Sequence, residues 1–413
     1  MTTPQGLPAR RAALRLTDAV LRRGETLDQA AARALGDVSA PADRALALAI
    51  AAEVLRWLGD LDALIDSATK KRLPDDAKAR AVLRLMLAQS LQLGTPPHAV
   101  VATCLPLLAF GPRRLAHGVF STLGKRGAHL PDVPTLPDAV RLRWGERAET
   151  IAQGLARPPD LDLTLRRSDS LAEWQGKLGG ISLAPGHLRL PRGTSVESLP
   201  GYHEGAWWVQ DLAASLPARL LGEGRGRHAL DLCAAPGGKT LQLAAAGWEV
   251  TALDVSERRL ELLRANLERT KLSAEVIAAD ALRWEPDLRY DAILIDAPCS
   301  ATGTCRRHPD VLHRIGGRQI AEMTELQAGL AARAARWLKP GGKLVYAVCS
   351  LEPEEGPAQA ARIALEPDPI TAEEVPEGLE ITPEGWLRTD PGMLAAHGGL
   401  DGFFIARFAC PPA

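Results

Sequence analysis

From residue 226 onward the chain alternates between two hydrophobic periods, and this limits its fold more than any other feature. "HALDLCA", "WEVTALDV", "SAEVIAADA", "YDAILIDAP" and "GKLVYAVCS" read as strands. "KTLQLAAAG", "SERRLELLRANLERT" and "QIAEMTELQAGLAARAARWL" stand between them with apolar residues at helical spacing. Strands alternating with helices require crossover connections, which predicts a doubly wound, mainly parallel α/β sheet covered on both faces. Ligands of such sheets bind beyond the carboxyl ends of the strands. Every loop here with chemically distinctive residues follows a strand.

The front end reads differently. "PARRAALRLTDAVLRRG" places Ala13, Leu16 and Val20 on one helical face, with Gly24 as a stop. "ADRALALAIAAEVLRWLGDLDALIDSAT", "DDAKARAVLRLMLAQSLQLG", "PPHAVVATCLPLLAFG" and "RRLAHGVFSTLGKRG" continue the pattern, so residues 1–130 are expected to form an all-α domain. The Pro-rich "HLPDVPTLPDAV" marks a boundary near residue 130. Residues 131–225 read as a linker and small mixed α/β subdomain. Strands are expected in "DLDLTLRRSD" and "ISLAPGHLRLPRG" and a helix in "VQDLAASLPARLLG"; residues 226–413 form the sheet domain.

Charge is unevenly placed. The whole chain has a net charge of −1, but residues 1–130 carry 18 Lys and Arg against 11 Asp and Glu, a net of +7. A basic front end points to a polyanionic partner, although a solvated helical face gives the same count. No uninterrupted apolar run reaches the roughly 18 residues of a membrane span, and the N-terminus lacks a secretory apolar core. Six scattered cysteines fit reduced thiols in a cytoplasmic protein.

"LDLCAAPGGKT" is a strand, a glycine turn and a helix start. Gly237 and Gly238 permit a sharp turn and close approach of a ligand, and the helix opening near Lys239 offers unpaired N–H groups. Asp254 closes the next strand, where an acid accepts hydrogen bonds from ribose hydroxyls. Asp280 closes the third, within reach of an adenine or ribose edge. The loop matches neither G-x-G-x-x-G nor the nucleoside-triphosphate phosphate loop, so a nucleoside without a pyrophosphate fits better than NAD or ATP. S-adenosylmethionine is such a ligand.

"CAAPGGKT", "DAPCSATG" with "RRHPD", "YAVCSLEPEEG" and the terminal "DGFF.AR" resemble the RNA cytosine 5-methyltransferases. The front end resembles the NusB-type helical RNA-binding domain. The combination is similar to the bacterial 16S rRNA cytosine 5-methyltransferase B (RsmB) family over nearly the whole chain. The resemblance implies a Rossmann-like class I methyltransferase fold preceded by an all-α NusB-like domain. It implies cofactor contacts from Cys233, Ala234, Ala235, Pro236, Gly237, Gly238, Lys239, Asp254, Asp280 and Asp296. Two departures stand out: Ala301 where the family has glycine, and Val348 where it has threonine.

Carbon 5 of cytosine is a poor nucleophile. A thiolate adding to carbon 6 yields an enamine that can take a methyl group, after which a base must remove the carbon 5 proton so that the thiol can leave. An acid hydrogen-bonded near ring N3 stabilises the adduct. Cys299 and Cys349 each follow a strand and meet at one sheet edge if those strands are neighbours. Chemistry alone does not order them, because DNA cytosine methyltransferases attack with a Pro-Cys thiol like Cys299. The resemblance assigns Cys349 as nucleophile and Cys299 to product release, with Asp296 on cytosine, cofactor or both.

Arg306, Arg307 and His308 offer RNA phosphate contacts, with a solvated loop as the plain alternative. Cys104, Cys305 and Cys410 are expected to be packing residues, as is the side chain of Cys233. No C-x₂-C pair supports a metal among Cys299, Cys305 and His308, so none is expected. The reading is a monomeric cytoplasmic enzyme methylating carbon 5 of a cytosine in small-subunit rRNA. The rivals are the same chemistry on tRNA, a non-catalytic RNA-binding assembly factor, and a nucleotide-dependent dehydrogenase.

Overall fold

Proline at a first helical turn, acids beside it and glycine past the last turn set several helix ends in the first part of the chain. Helix α1 (Leu7–Arg23) has Pro8 in its first turn and stops at Gly24, whose φ of 66° suits only a residue without a side-chain clash. Its Ala9, Ala12, Ala13, Leu16, Ala19 and Val20 are buried, a broad apolar face. There follow α2 (Leu27–Ala34), α3 (Pro41–Arg56), α4 (Leu58–Ser67), α5 (Lys78–Leu91), α6 (Pro97–Cys104), α7 (Phe110–Lys125), α8 (Asp138–Trp144) and α9 (Ala148–Leu155). The long periodic stretch around Trp57 is two helices, because the chain leaves helical geometry there (φ −107°, ψ 20°).

The computed structural model describes residues 6–412 and divides into two units. One runs to Ala156 and includes Arg307–Ile315; the other comprises Arg157–Arg306 and everything from Gly316. The Pro-rich stretch is docked on the helical unit. Thr135 donates its N–H and hydroxyl to the two carboxylate oxygens of Asp60 at 2.9 and 2.7 Å, and Arg56 donates to the Leu155 carbonyl at 2.9 Å.

The second unit opens with β1 (Leu161–Leu165), α10 (Leu171–Leu178), β2 (His187–Leu190) and β3 (Trp207–Val209), an antiparallel sheet in the order β2-β1-β3. After α11 (Leu212–Arg219) come β4 (His228–Leu232), α12 (Gly238–Ala245), β5 (Glu249–Asp254), α13 (Glu257–Thr270), β6 (Glu275–Ala278) and β7 (Tyr290–Asp296). The short α14 (Val311–Arg314) lies in the segment that counts with the helical unit. Then follow α15 (Gly317–Trp337), β8 (Leu338–Val348), α16 (Pro357–Ala360), β9 (Glu366–Pro367), β10 (Leu387–Thr389) and β11 (Phe403–Ala409).

The main sheet has the order β10-β11-β8-β7-β4-β5-β6, with β9 on β11. Strands β4 to β8 are mutually parallel where they pair, as the alternating pattern predicts. The carboxyl-terminal β9, β10 and β11 are antiparallel additions. Residues along the central strands alternate between two cores. Ile293, Ile295, Leu344 and Tyr346 meet Leu330, Ala334 and Trp337 of α15. Ala292, Leu294, Val345 and Ala347 share the other face with Ala213 and Leu216 of α11. Burial on both faces explains the continuous apolar runs.

Candidate active site

Strand order builds the site. Because β8, β7, β4, β5 and β6 are parallel, their carboxyl ends share one edge, in steps of about 4.8 Å. Along that edge lie Cys349 after β8, Asp296 and Cys299 at and after β7, the glycine loop after β4, Asp254 ending β5, and Asp280 beyond β6. The order of strands changes direction between β7 and β4, the place where doubly wound sheets open a crevice.

The loop 233–237 is held from beneath. Asp254 is buried, and its two oxygens accept the N–H groups of Ala235 at 3.1 Å and Ser256 at 2.9 Å. Ala234 donates to the Leu253 carbonyl at 3.1 Å. Gly237 has φ 110°, and a Cβ there would lie 2.9 Å from Cγ of Leu263, so this turn excludes larger residues. Cys233 is itself left-handed, at φ 62°. Asp280 is more exposed, its carboxylate accepting the Leu282 N–H at 2.9 Å.

A cavity of about 350 Å³ opens beside the loop, walled by Ala234, Ala235, Pro236, Gly238, Lys239, Asp231 and Asp296 on one side and by Tyr202, Trp208, Gln210, Asn266 and Arg269 on the other. Asp254 and Asp280 lie at the next two strand ends, outside its walls. Sequence reasoning passed over Asp231, which is fully buried. Its Oδ2 accepts the Thr240 hydroxyl at 2.6 Å, while Oδ1 has no hydrogen-bond partner. Burial pushes its carboxyl up to about 7. An orphaned acceptor in a cavity wall, beside a glycine loop and helix N-terminus, fits a ligand with a cationic donor and a polar or anionic end. An amino-acid-bearing nucleoside such as S-adenosylmethionine has both.

At the other end of the edge, the sulfurs of Cys299 and Cys349 are 3.5 Å apart, although the residues are 50 positions apart in sequence. Both are partly accessible. The contact with Cys349 and burial push the Cys299 thiol well above its ordinary value, so near neutral pH it keeps its proton. Between thiols and cavity, Lys239 donates to Asp296 at 2.7 Å. Burial pulls the Lys239 ammonium down, but Asp296, with help from Cys349, outweighs it and holds the group above its usual range. Lys239 thus joins the two halves: it lines the cavity and lies within electrostatic reach of a thiol.

The two departures from the family pattern now have locations. Ala301 takes φ 58°, a left-handed conformation that glycine adopts without cost. Val348 is fully buried in the apolar core at the end of β8.

The arginine expected to bind phosphate is placed elsewhere. Arg306 is only 1% exposed; its guanidinium donates to the Gly398 carbonyl at 2.6 Å and pairs with Asp401 at 3.3 Å and Asp211 at 3.6 Å. A guanidinium committed inside the protein does not reach an RNA backbone. Arg307 and His308 are half-buried in the segment that counts with the helical unit. Cys104 and Cys305 are buried packing residues, and Cys410 is half-buried. Burial pushes the Cys233 thiol far up, which leaves it unreactive. Among the described residues no cluster of three or more His, Cys, Asp or Glu side chains can hold a metal ion, and no helix is long and apolar enough to cross a membrane.

Residues 218–409 match the family model described as 16S rRNA methyltransferase RsmB/F, and residues 7–108 match that of the NusB family. A protein of Xanthomonas campestris pv. campestris named ribosomal RNA small subunit methyltransferase B is 36% identical over 385 residues, covering 87% of this chain and 88% of its own. One of the same name from Salmonella arizonae is 35% identical, covering 88% and 90%. Among solved structures, a methyltransferase homologue from Pyrococcus horikoshii superimposes with a TM-score of 0.55 at 28% identity, over 66% of this chain and 93% of that one. NSun6 from the same organism, at 19% identity, shares the fold with a TM-score of 0.58 over 66% and 98%.

Proposed function

The chain belongs to the RsmB/F family of 16S rRNA methyltransferases, and from that premise we propose that it methylates carbon 5 of a cytosine in small-subunit rRNA, with Cys349 as the attacking thiol. The observation that carries this reading is the pair of sulfurs 3.5 Å apart at a sheet edge, joined through Lys239 and Asp296 to a cofactor-sized cavity.

S-adenosylmethionine, when bound, supplies an electrophilic methyl group. The residues to hold it are the backbone of Cys233 to Gly238, Asp231, Lys239, Asp254 and Asp280. Asp231 is the natural acceptor for its ammonium, since the unpartnered Oδ1 is then satisfied and the carboxyl is drawn back to its charged form. Asp254 acts chiefly by holding the loop, because both its oxygens already accept backbone N–H groups.

Addition of the Cys349 sulfur to carbon 6 makes carbon 5 nucleophilic, dividing a difficult step into two. Cys299, its sulfur 3.5 Å from that of Cys349, serves as the proton partner to the attacking thiol. As the bond between Cys349 and carbon 6 breaks, carbon 5 gives its proton to water, and Cys299 donates its own proton to the departing Cys349 sulfur and regains one from solvent. Asp296, oriented by Lys239, hydrogen-bonds the cytosine ring. The base must leave its stack to reach half-buried thiols. The basic front end contributes phosphate contacts, making affinity salt-dependent.

The test is transfer of label from S-adenosylmethionine to unmodified small-subunit rRNA, followed by digestion to nucleosides. Label in 5-methylcytidine is expected. Label in any other nucleoside, or none in RNA, would overturn the reading.

A further inference from the structure

A buried carboxylate ties together the two loops that carry the thiols. Glu355 lies just after β8, is 0% exposed, and reaches both loops with one side chain. Its Oε1 accepts the N–H of Ser300 at 2.8 Å and Nε2 of Gln327 at 3.3 Å. Its Oε2 accepts the hydroxyl of Ser300 at 2.5 Å and that of Ser350 in a very short contact. Ser300 directly follows Cys299, and Ser350 directly follows Cys349. Glu355 therefore holds the neighbour of each thiol through one carboxylate.

Other bonds close the same clamp. Thr302 accepts the Leu351 N–H at 3.0 Å, and Gly303 donates to the Cys349 carbonyl at 3.0 Å. Gln327 of α15 braces the cysteine loop by donating to the Pro298 carbonyl at 2.9 Å, and the Tyr346 hydroxyl donates to the backbone carbonyl of Glu355 at 2.7 Å. Ser300, Thr302, Ser350 and Gln327 are all nearly inaccessible, so water does not replace these bonds cheaply. Val348 points into the apolar core, so the position of Cys349 comes from the residue on its other side.

We propose that Glu355 is the positioning residue that sets the spacing of the two thiols, an inference that rests on the reading of Cys299 and Cys349 as a reacting pair. It touches neither sulfur and acts through Ser300 and Ser350. A misplacement of about 1 Å in such a pair costs on the order of a hundredfold in rate.

The hydrogen-bond pattern separates this role from a simple need for negative charge. In Glu355→Gln the amide oxygen can take the Oε1 place, accepting the Ser300 N–H, while the amide nitrogen donates to the two seryl hydroxyls, which rotate to accept. Glu355→Leu has a similar volume and none of these bonds.

The direct readout of spacing is capture of an aryl arsenoxide, which loses water and forms a stable ring only when two thiols reach one arsenic atom. It needs neither RNA nor cofactor. Wild type is expected to bind one equivalent, and Cys299→Ala none. Glu355→Leu is expected to weaken capture at least about tenfold, since the second sulfur no longer lies where the first bond presents the arsenic. Glu355→Gln recovers most of the loss. In methyl transfer, Glu355→Leu lowers kcat by at least about tenfold with little change in KM for S-adenosylmethionine. Cofactor affinity reports whether each variant is folded. If Glu355→Leu does not fold, Ser300→Ala and Ser350→Ala carry the test, each weakening capture about threefold or more.

Wild-type arsenoxide capture in Glu355→Leu, or in both serine variants, would overturn the proposal. Absence of methyl transfer to RNA by wild type, with the arsenoxide pattern intact, would overturn the reading of function and leave the clamp standing.

Discussion

The two halves of the proposed catalytic edge are built by opposite means. On the cofactor side, one contiguous stretch, Leu232 to Thr240, makes the turn and opens the helix, and Asp254 at the next strand end pins it through two backbone N–H groups. On the thiol side nothing is contiguous: Cys299 and Cys349 are 50 residues apart, and the carboxylate of Glu355 fastens their loops together. A binding loop can be organised by backbone geometry. A pair of reacting sulfurs needs side chains from separate segments to fix one distance.

This comparison can be broken at its bridge first. Lys239 belongs to both halves, so Lys239→Met should have the largest effect short of removing a thiol, lowering kcat by about a hundredfold, comparable to loss of one preorganised donor. Single-turnover transfer at saturating S-adenosylmethionine checks it. A variant that loses only cofactor affinity would place Lys239 on one side alone.

The cofactor half is sharpened by Asp231. Because its folded carboxyl is raised to about 7, the folded state binds the proton more tightly than the unfolded chain. Its contribution to stability in the ligand-free protein is therefore greatest at low pH and is lost as pH rises from about 4 toward 7. Asp231→Asn should flatten that fall in thermal unfolding. Affinity for S-adenosylmethionine should rise through about pH 7 in wild type, and the variant should bind about tenfold more weakly without that rise. Parallel pH profiles for the two proteins would remove Asp231 from the site.

The smallest effect belongs to the thiol half. Ala301 is left-handed at φ 58°, so Ala301→Gly should raise stability by up to about 1 kcal/mol, offset in part by glycine's greater freedom in the unfolded chain. Chemical denaturation measures it. A loss of stability would mean that the Ala301 methyl group has a packing role that outweighs its strain.

The same contrast explains what was legible in the sequence. The parallel strands, the all-helical front end and the glycine loop follow from local period and turn chemistry, which need only neighbouring residues. The meeting of Cys299 and Cys349 followed only conditionally, through the adjacency of β7 and β8. Glu355 was invisible because an acid after a strand looks solvated until its partners, Ser300 and Ser350, are brought to it. Asp231 was hidden inside its own motif: in "LDLC" it reads as one polar residue on a strand, and only its fully buried, half-satisfied carboxylate marks it. Arg306 misled for the converse reason. Two arginines in a loop suggest a phosphate contact, but its acids, Asp211 and Asp401, come from distant segments. The antiparallel β11 went unnoticed as a strand because "FFIARFA" is buried along nearly its whole length and shows no alternation.

The division of labour between the two sulfurs is the central claim, and covalent capture of RNA tests it most directly. Wild type, Cys349→Ala and Cys299→Ala would each be incubated with small-subunit rRNA and S-adenosylmethionine, then separated under denaturing conditions. Cys349→Ala should form no protein–RNA adduct and lose turnover by more than about a thousandfold, the scale of nucleophile removal elsewhere. Cys299→Ala should accumulate an adduct that survives denaturation and carries the transferred methyl group. An adduct in Cys349→Ala, or normal turnover without Cys349, would contradict the account.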